Sequence, residues 1–223
     1  MISVDEAILS RKSVRAFKPD PVQQDMVQHI LEVASRAPSG TNTQPWRVHV
    51  LTGNTLERIT GAVLKAFWDE SGVHSSDRRH YMENWRDPYL SRRRKVGWDL
   101  YGLMGIKKGE REKTQQFHAQ NYQFFGAPVG LLFTIDADMG WMSWLDYGMF
   151  IQNVCLAARG QGLHTCPQAS WGHYYKVLEG ELELQENEIV HVGMSLGYED
   201  TEAAQNQLVT SRESPKDFAV FHS

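Results

Sequence analysis

The chain has 223 residues, 41% of them hydrophobic, with 23 Lys and Arg against 27 Asp and Glu and a formal net charge of −4. That length suits one domain with a core large enough to need no disulfide or metal staple, and the mild acidity gives no global attraction to nucleic acid. Two cysteines, Cys155 and Cys166, match neither a CxxC nor a zinc spacing, no apolar run reaches a membrane span, and the opening MISVDEAILSRKSVR carries acids early, so the expected setting is the cytoplasm, with no membrane, metal or nucleic-acid partner.

Ser3-Val4-Asp5-Glu6 reads as a capping box that opens a short helix to about Ser10. Ser13 to Phe17 is extended in type. Asp20 as N-cap and Pro21 at the first helical position predict a second helix, with Val22, Met26, Val27, Ile30, Leu31 and Ala34 on its apolar face. It stops before Pro38. The run APSGTNTQPW (37–46) follows, all turn formers and small hydrogen-bonding side chains. Such a loop is a connector or a grip on something polar. Trp46 to Leu51 is a strand. Asn54 and Thr55 open a helix that buries Leu56, Ile59, Val63, Leu64 and Phe67. The region from about Asp69 to Lys113 is charged and aromatic-rich, and reads as helical, partly exposed and inserted between core elements. A further helix is expected from about Thr114 to Phe125. Val129 to Ile135 is nearly all apolar, a strand buried on both faces. Trp141 to Gln161 is the longest helical pattern and is apolar on most sides, which suits a central helix or a subunit interface. Gly160 and Gly162 end it. His164 to Gln168 is a short strand or loop, and Ile189 to Leu196 is a strand closing at Gly197. Helices and strands mix without regular βαβ alternation, so the fold class is α+β.

Arg11-Lys12-Ser13-Val14-Arg15 packs three cations and a hydroxyl into five residues. In an extended segment Arg11, Ser13 and Arg15 share one face, a set that suits a phosphate dianion. The same residues also read as a solvated basic patch after a helix C-terminus. Thr210-Ser211-Arg212 is a second hydroxyl–arginine cluster, which would complete a phosphate site if it folded back onto Arg11 and Ser13. No GxxxxGK[ST] loop and no GxGxxG after a strand is present. The nine histidines offer no HxxxH or HExxH spacing, and no nucleophile–base set stands out. His173 reads as a packing or surface residue and Cys166 as a small structural hydrophobe. Between Arg78 and Lys113 lie 11 of the 23 Lys and Arg, with Tyr81, Trp85, Tyr89, Trp98 and Tyr101. This is either a solvated helical face with aromatics packed beneath, or a lid whose cations attract anionic substrates.

RKSVRAF near the start, APSGTNTQPW about two dozen residues later, GLHTCPQAS after the buried helix, GMSLGYED as a late strand and turn, and an arginine close to the end form an ordered set. In that set the chain resembles the nitroreductase family of flavoproteins, and within it the nitrobenzoate nitroreductase branch. The resemblance implies an α+β fold with a mixed, largely antiparallel sheet flanked by helices. It implies that residues 1–223 form a single FMN-binding domain with a helical insertion at about 70–113, and that the protein is a homodimer with one FMN in each of two interface sites. Carried over position by position, Arg11, Lys12, Ser13 and Arg15 would hold the FMN phosphate, ribityl chain and pyrimidine edge. Pro38, Ser39, Gly40, Asn42 and Gln44 would come from the opposite subunit. Pro167, Gln168, Ala169 and Ser170 would line the flavin near its reactive nitrogen, and Ser211 and Arg212 would return to the phosphate. Lys12 stands where many members have a second arginine, keeping the charge without the bidentate geometry. Ala169 stands where many carry an acid. The implied activity is reduction of nitroaromatics or quinones by ping-pong hydride transfer, with NADH or NADPH as donor, FMN carrying the hard chemistry and flat substrates favoured by stacking. The same scaffold would also serve a reductive dehalogenase, an activated-alkene reductase, or a non-catalytic FMN-binding or sensing module.

Overall fold

A computed structural model describes residues 2–69, 73–74 and 82–222. The helices in it are α1 (Val4–Ser10), α2 (Gln24–Ala34), α3 (Gly53–Asp69), α4 (Tyr89–Leu103), α5 (Arg111–Ala119), α6 (Trp141–Gly160), α7 (Tyr175–Glu181) and α8 (Pro215–Phe218). The strands are β1 (Arg47–Leu51), β2 (Val129–Asp136), β3 (His164–Gln168) and β4 (Glu188–Gly197). They form one antiparallel sheet in the order β1-β2-β4-β3, with a register shift between Phe133 and Thr134. The N-terminal stretch adds a parallel bridge from Ser13 to Thr165 and an antiparallel one from Phe17 to Glu199. The sheet is therefore mixed but largely antiparallel, as the resemblance implies.

Strand β2 separates two cores. On one face α2 and α6 set Val27, Ile30, Tyr147, Phe150 and Val154 against Leu131, Phe133 and Ile135. On the other face Ile59 and Val63 of α3 and Leu178 of α7 pack with Phe124, Trp171 and Leu132. All seven residues from Val129 to Ile135 are buried, which is why this strand reads as unbroken apolar sequence. Glycines seat two of the rings. A Cβ on Gly130 would stand 2.5 Å from Phe124, and one on Gly193 would stand 2.2 Å from Trp171. The two rings stack on each other at 4.3 Å.

The Ser3 half of the capping box holds: the Glu6 amide donates to Ser3 Oγ at 3.1 Å. Helix α2, by contrast, begins later than predicted. Gln23 is its N-cap, without a side-chain bond. Asp20 and Pro21 belong to a lead-in that lets Val22 pack on the core, and a φ fixed near −65° fits an extended lead-in as well as a first turn. The helix expected from Thr114 to Phe125 is also different. Helix α5 ends at Ala119 and a 3₁₀ segment, Gln120–Gly126, takes over. Phe124 and Phe125 there adopt φ of 48° and 53°. Bulky residues take that left-handed conformation only where packing over-determines it, and both rings are buried.

Helix α4 lies in the charged middle region. Its aromatics divide: Tyr89 and Trp98 are exposed, Tyr101 is half-buried against Phe117, and before the helix the Arg93 guanidinium sits 4.5 Å over the half-buried Trp85 ring. Arg78 and Tyr81 lie outside the described residues. Among the described residues no helix is long and apolar enough to cross a membrane.

Candidate functional site

The basic segment runs along the β3 edge. The Val14 amide donates to the Thr165 carbonyl at 3.1 Å, and the Val14 side chain is fully buried. Alternation along an extended backbone then turns Arg11, Ser13 and Arg15 the other way. Asn206 clasps this segment from the far end of the chain. Its Oδ1 accepts from the Arg15 amide at 2.7 Å, and its Nδ2 donates to the Ala16 and Asp200 carbonyls, each at 2.8 Å. Gln205 Nε2 donates to the Arg15 carbonyl at 3.2 Å. Asn206 is 2% exposed, so its bonds are made out of water.

Lys12 is engaged elsewhere. Its ammonium lies 2.6 Å from Glu199 Oε1 and 2.8 Å from the Asn206 carbonyl. Glu199 also meets His164 Nε2 at 3.2 Å. Burial, with the Arg159 charge next, lowers the His164 pKa to about 4 against the pull of Glu199. The imidazole is therefore neutral near pH 7. Its Nε2–H donates to Glu199, and its Nδ1 faces Arg159 Nη1 at 3.5 Å.

Arg11, Ser13 and Arg15 converge on Cys166. Burial pushes that thiol up to about 11, while the Arg15 charge, a Ser13 hydrogen bond and the Arg11 charge pull it down. Cys166 is thus a protonated, buried thiol rather than a nucleophile. Next along the chain, Pro167 is exposed and Ala169 and Ser170 are half-buried. Gln168 is 3% exposed and committed to the protein: its Nε2 donates to the Asn121 carbonyl at 2.6 Å and its Oε1 accepts from Ser195 Oγ at 2.9 Å. Among the described residues Trp171 Nε1 is buried with no hydrogen-bond partner. His173 is half-buried in the same 3₁₀ turn, Ala169–Tyr174.

The 37–46 loop is anchored by buried Ala37 and Pro45, with Pro38, Gly40, Asn42 and Gln44 exposed between them and Ser39 half-buried. Thr41, Asn42 and Gln44 have φ of 50°, 61° and 49°. A non-glycine residue in this region costs about 1–3 kcal/mol, Asn least. The loop is braced by the Gln44 amide on Ser39 Oγ at 3.0 Å and the Gly40 amide on Asp146 Oδ2 at 3.1 Å. Asp146 lies near the start of α6. The end of α1, just before the basic segment, meets the other end, where Arg159 Nε donates to Ser10 Oγ at 3.2 Å. Those two contacts are thirteen residues apart along α6, about 20 Å at 1.5 Å per residue.

Thr210, Ser211 and Arg212 line a cleft with Arg92, Lys95 and Asp99 of α4. Arg92 pairs with Glu213 at 3.0 Å. The Arg212 guanidinium donates to Thr210 Oγ1 at 2.8 Å and to the Ser211 carbonyl at 2.9 Å. The structure therefore joins the 11–15 cluster to the β3 turn, ties the tail to α4, and leaves the 37–46 loop at the opposite end of α6. Asn206 and Asp146 are the residues sequence reading missed. Asp146 is detectable as a carboxylate inside the apolar run WMSWLDYGMF, whereas nothing in AAQNQ singles out Asn206.

The donor set fits an anionic cofactor. Among the described residues the Arg15 guanidinium donates only to the neutral Ser13 carbonyl, at 3.2 Å, and the acceptors of Arg212 are neutral too. Among the described residues neither guanidinium meets a carboxylate, so their charges are uncompensated.

Comparison with known proteins agrees. Residues 8–198 match the Nitroreductase family. The chain is 39% identical to a 4-nitrobenzoate reductase of Pseudomonas putida over 217 residues, 97% of this chain and 94% of that one. It is 38% identical to a chloronitrobenzene nitroreductase of Comamonas testosteroni over 218 residues, 98% and 96% of the two chains. Among solved structures, the FMN- and NADPH-dependent nitroreductase NfnB from Sphigopyxis sp. strain HMH aligns with a TM-score of 0.96 at 34% identity, covering 100% of both chains. The matched stretch takes in the basic segment, the 37–46 loop and the β3 turn, and the likeness to whole relatives extends almost from end to end: the chain belongs to the nitroreductase family.

Proposed function

We propose that the protein is an FMN-dependent oxidoreductase that uses NADH or NADPH to reduce nitroaromatics, with quinones as further acceptors. It acts as a homodimer in the cytoplasm, with residues 1–223 as one FMN-binding domain and about 70–113 as its helical insertion. The observation that carries the reading is the uncompensated Arg15 guanidinium beside Ser13 and Arg11 at the β3 turn. It occurs in a chain whose relatives are named for nitroaromatic reduction and whose structural neighbour is titled FMN- and NADPH-dependent.

Bound FMN would supply two-electron hydride chemistry. The chain's own residues bind and orient. Arg11 and Ser13 offer a phosphate charge-assisted bonds worth about 1.5–3 kcal/mol each, and Ser211 with Arg212 adds a second anion grip. Arg15 at the polar edge of the ring favours negative charge there. Pro167, Gln168, Ala169 and Ser170 form a wall with no titrating side chain, so it shapes the site rather than ionising. Lys12 acts through Glu199, setting the course of the segment. Pro38, Ser39, Gly40, Asn42 and Gln44 serve the site of the other subunit. The separation of about 20 Å along α6 supports that arrangement. So do exposed apolar side chains on the same helix and on α1, with Trp141 78% and Leu9 85% exposed. Two free, buried thiols accord with a reducing compartment.

The test is the visible spectrum of the purified protein under anaerobic titration with NADPH or NADH. A yellow protein that bleaches with a donor and recolours with 4-nitrobenzoate, giving hydroxylamine product, is expected. A yellow protein that does not bleach would make it a binding module. A colourless protein that also fails to take up FMN would overturn the assignment.

A further inference from the structure

Helix α6 turns one stripe of side chains toward the 37–46 loop. Asp146, Phe150 and Asn153 are spaced i, i+4 and i+7, which places them on one helix face. Asn153 Nδ2 donates to the Ala34 carbonyl at 3.3 Å, just before the loop begins. Asp146 Oδ2 accepts the Gly40 amide at 3.1 Å, in its middle. The Phe150 ring stacks on Trp46 at 4.8 Å and 5°, at its exit. Entry, middle and exit are thus fixed by one helix. Between these points Thr41, Asn42 and Gln44 hold positive φ, and such backbone persists only where its surroundings dictate it.

The three contacts are not equivalent. Ala34 ends α2 and Trp46 abuts β1, so regular structure holds both in any case. Gly40 opens a single 3₁₀ turn in which its carbonyl accepts from the Thr43 amide at 3.1 Å, but among the described residues its N–H has only Asp146 as a partner. Its partner is a carboxylate only 5% exposed, on a helix whose other buried residues are Tyr147, Phe150, Val154, Cys155 and Ala158. A carboxylate there is costly to bury and gives nothing to the core by packing. Its return is the orientation of one loop amide.

We infer that Asp146 is a positioning residue: through the Gly40 N–H it sets the shape of the 37–46 loop and thereby the tightness with which FMN is held. The inference rests on the reading that this loop contacts FMN. It adds a residue that touches neither cofactor nor substrate, carried on the helix opposite the loop.

The unchanged protein is compared with Asp146→Ala and with Asp146→Asn, whose amide oxygen can still accept. Asp146→Leu replaces the alanine variant should that one fail to fold. Two quantities are measured: hydrogen exchange at the Gly40 amide in the FMN-free protein, and the FMN dissociation constant by spectral titration. The alanine variant is expected to speed Gly40 exchange and to raise the dissociation constant about tenfold or more, the loss of one charge-assisted hydrogen bond. The asparagine variant stays within about threefold, because a neutral acceptor keeps part of that bond. Unaltered Gly40 exchange and FMN affinity in the alanine variant would overturn the inference and leave the cofactor assignment intact. An asparagine variant as weak as alanine would overturn it too. Failure of the unchanged protein to take up FMN would overturn the cofactor assignment and the affinity half of the inference. Faster Gly40 exchange in the alanine variant would then still support the positioning half.

Discussion

Replacing Gly193 with alanine tests the glycine-seated ring pair directly. The added Cβ would stand 2.2 Å from Trp171 Cδ1, 2.6 Å from Cγ and 2.8 Å from Nε1. Carbon atoms settle at about 3.5 Å or more, so about 1.3 Å of movement must be found. Trp171 cannot supply it cheaply. It is fully buried and lies against Phe124, which is fully buried in turn and rests on Gly130. Strand β4 cannot supply it either, being paired on both sides by β2 and β3. Overpacking of this kind costs about 1–3 kcal/mol and occasionally more. With no slack on either side the upper end is expected, about 3 kcal/mol, which for this chain length lowers the melting temperature by about 6–12 °C. The assay is thermal unfolding followed by circular dichroism. Gly61→Ala serves as the control, because Gly61 is exposed within α3 and its Cβ would meet nothing within 4 Å. That change should raise stability by about 0.5–1 kcal/mol. A Gly193→Ala protein that melts at or above the unchanged protein would refute the claim that Trp171 is locked in place.

Glu188 is the hub of a second buried network, 2.7 Å from His49 Nε2, 2.9 Å from the Gln185 amide and 3.3 Å from Arg47 Nη1, with the Thr134 hydroxyl also bonded. Burial raises its pKa, but the bonds from Thr134, Gln185 and His49 outweigh that and hold the carboxyl below its ordinary value. Glu188→Ala should cost about 3 kcal/mol, read by urea unfolding, since it strands buried partners; a loss under about 1 kcal/mol would contradict this. His164, neutral when folded with a pKa of about 4 against an ordinary 6.5, contributes stability above pH 6.5 that is lost as pH falls toward 4. The melting temperature should drop across that window, and His164→Gln should flatten the drop; an unchanged slope would count against it. Lys12→Met should cost about 1 kcal/mol of stability, by removing the cation from Glu199, and leave FMN affinity within about threefold. Arg15→Ala should do the reverse, weakening FMN binding at least about tenfold; equal effects on affinity would erase the distinction between the two faces of the segment.

The legible parts of the fold were those with a strong period or an unbroken apolar run. Strand β2 and helix α6 announce themselves because burial on several sides leaves few polar positions to blur them. The start of α2 was misplaced because an Asp–Pro pair suits an extended lead-in as well as a helix. The segment at Phe124 and Phe125 reads as helix because its departure from helix depends on Gly130, a partner visible only once strand register is known. At the site, alternation correctly separated Arg11, Ser13 and Arg15 from Lys12. Asn206 could not be read, because its bonds reach Arg15 and Ala16 across 191 and 190 residues. Asp146 was readable in principle, as a charge in an apolar helix, but its meaning depends on which loop faces it.

The clasp at Asn206 also orders events in time. Arg15 is made long before Asn206, the residue that fixes its amide, which lies 191 positions later. At about 5–20 residues per second that is a wait of roughly 10–40 s. Until it ends, Thr165 can already hold Val14, but the Arg15 amide and the Ala16 carbonyl lack their Asn206 partner. On the proposed reading, cofactor loading waits for residue 206, and a truncation short of it would loosen the backbone at Arg15 without removing any residue from 11 to 15.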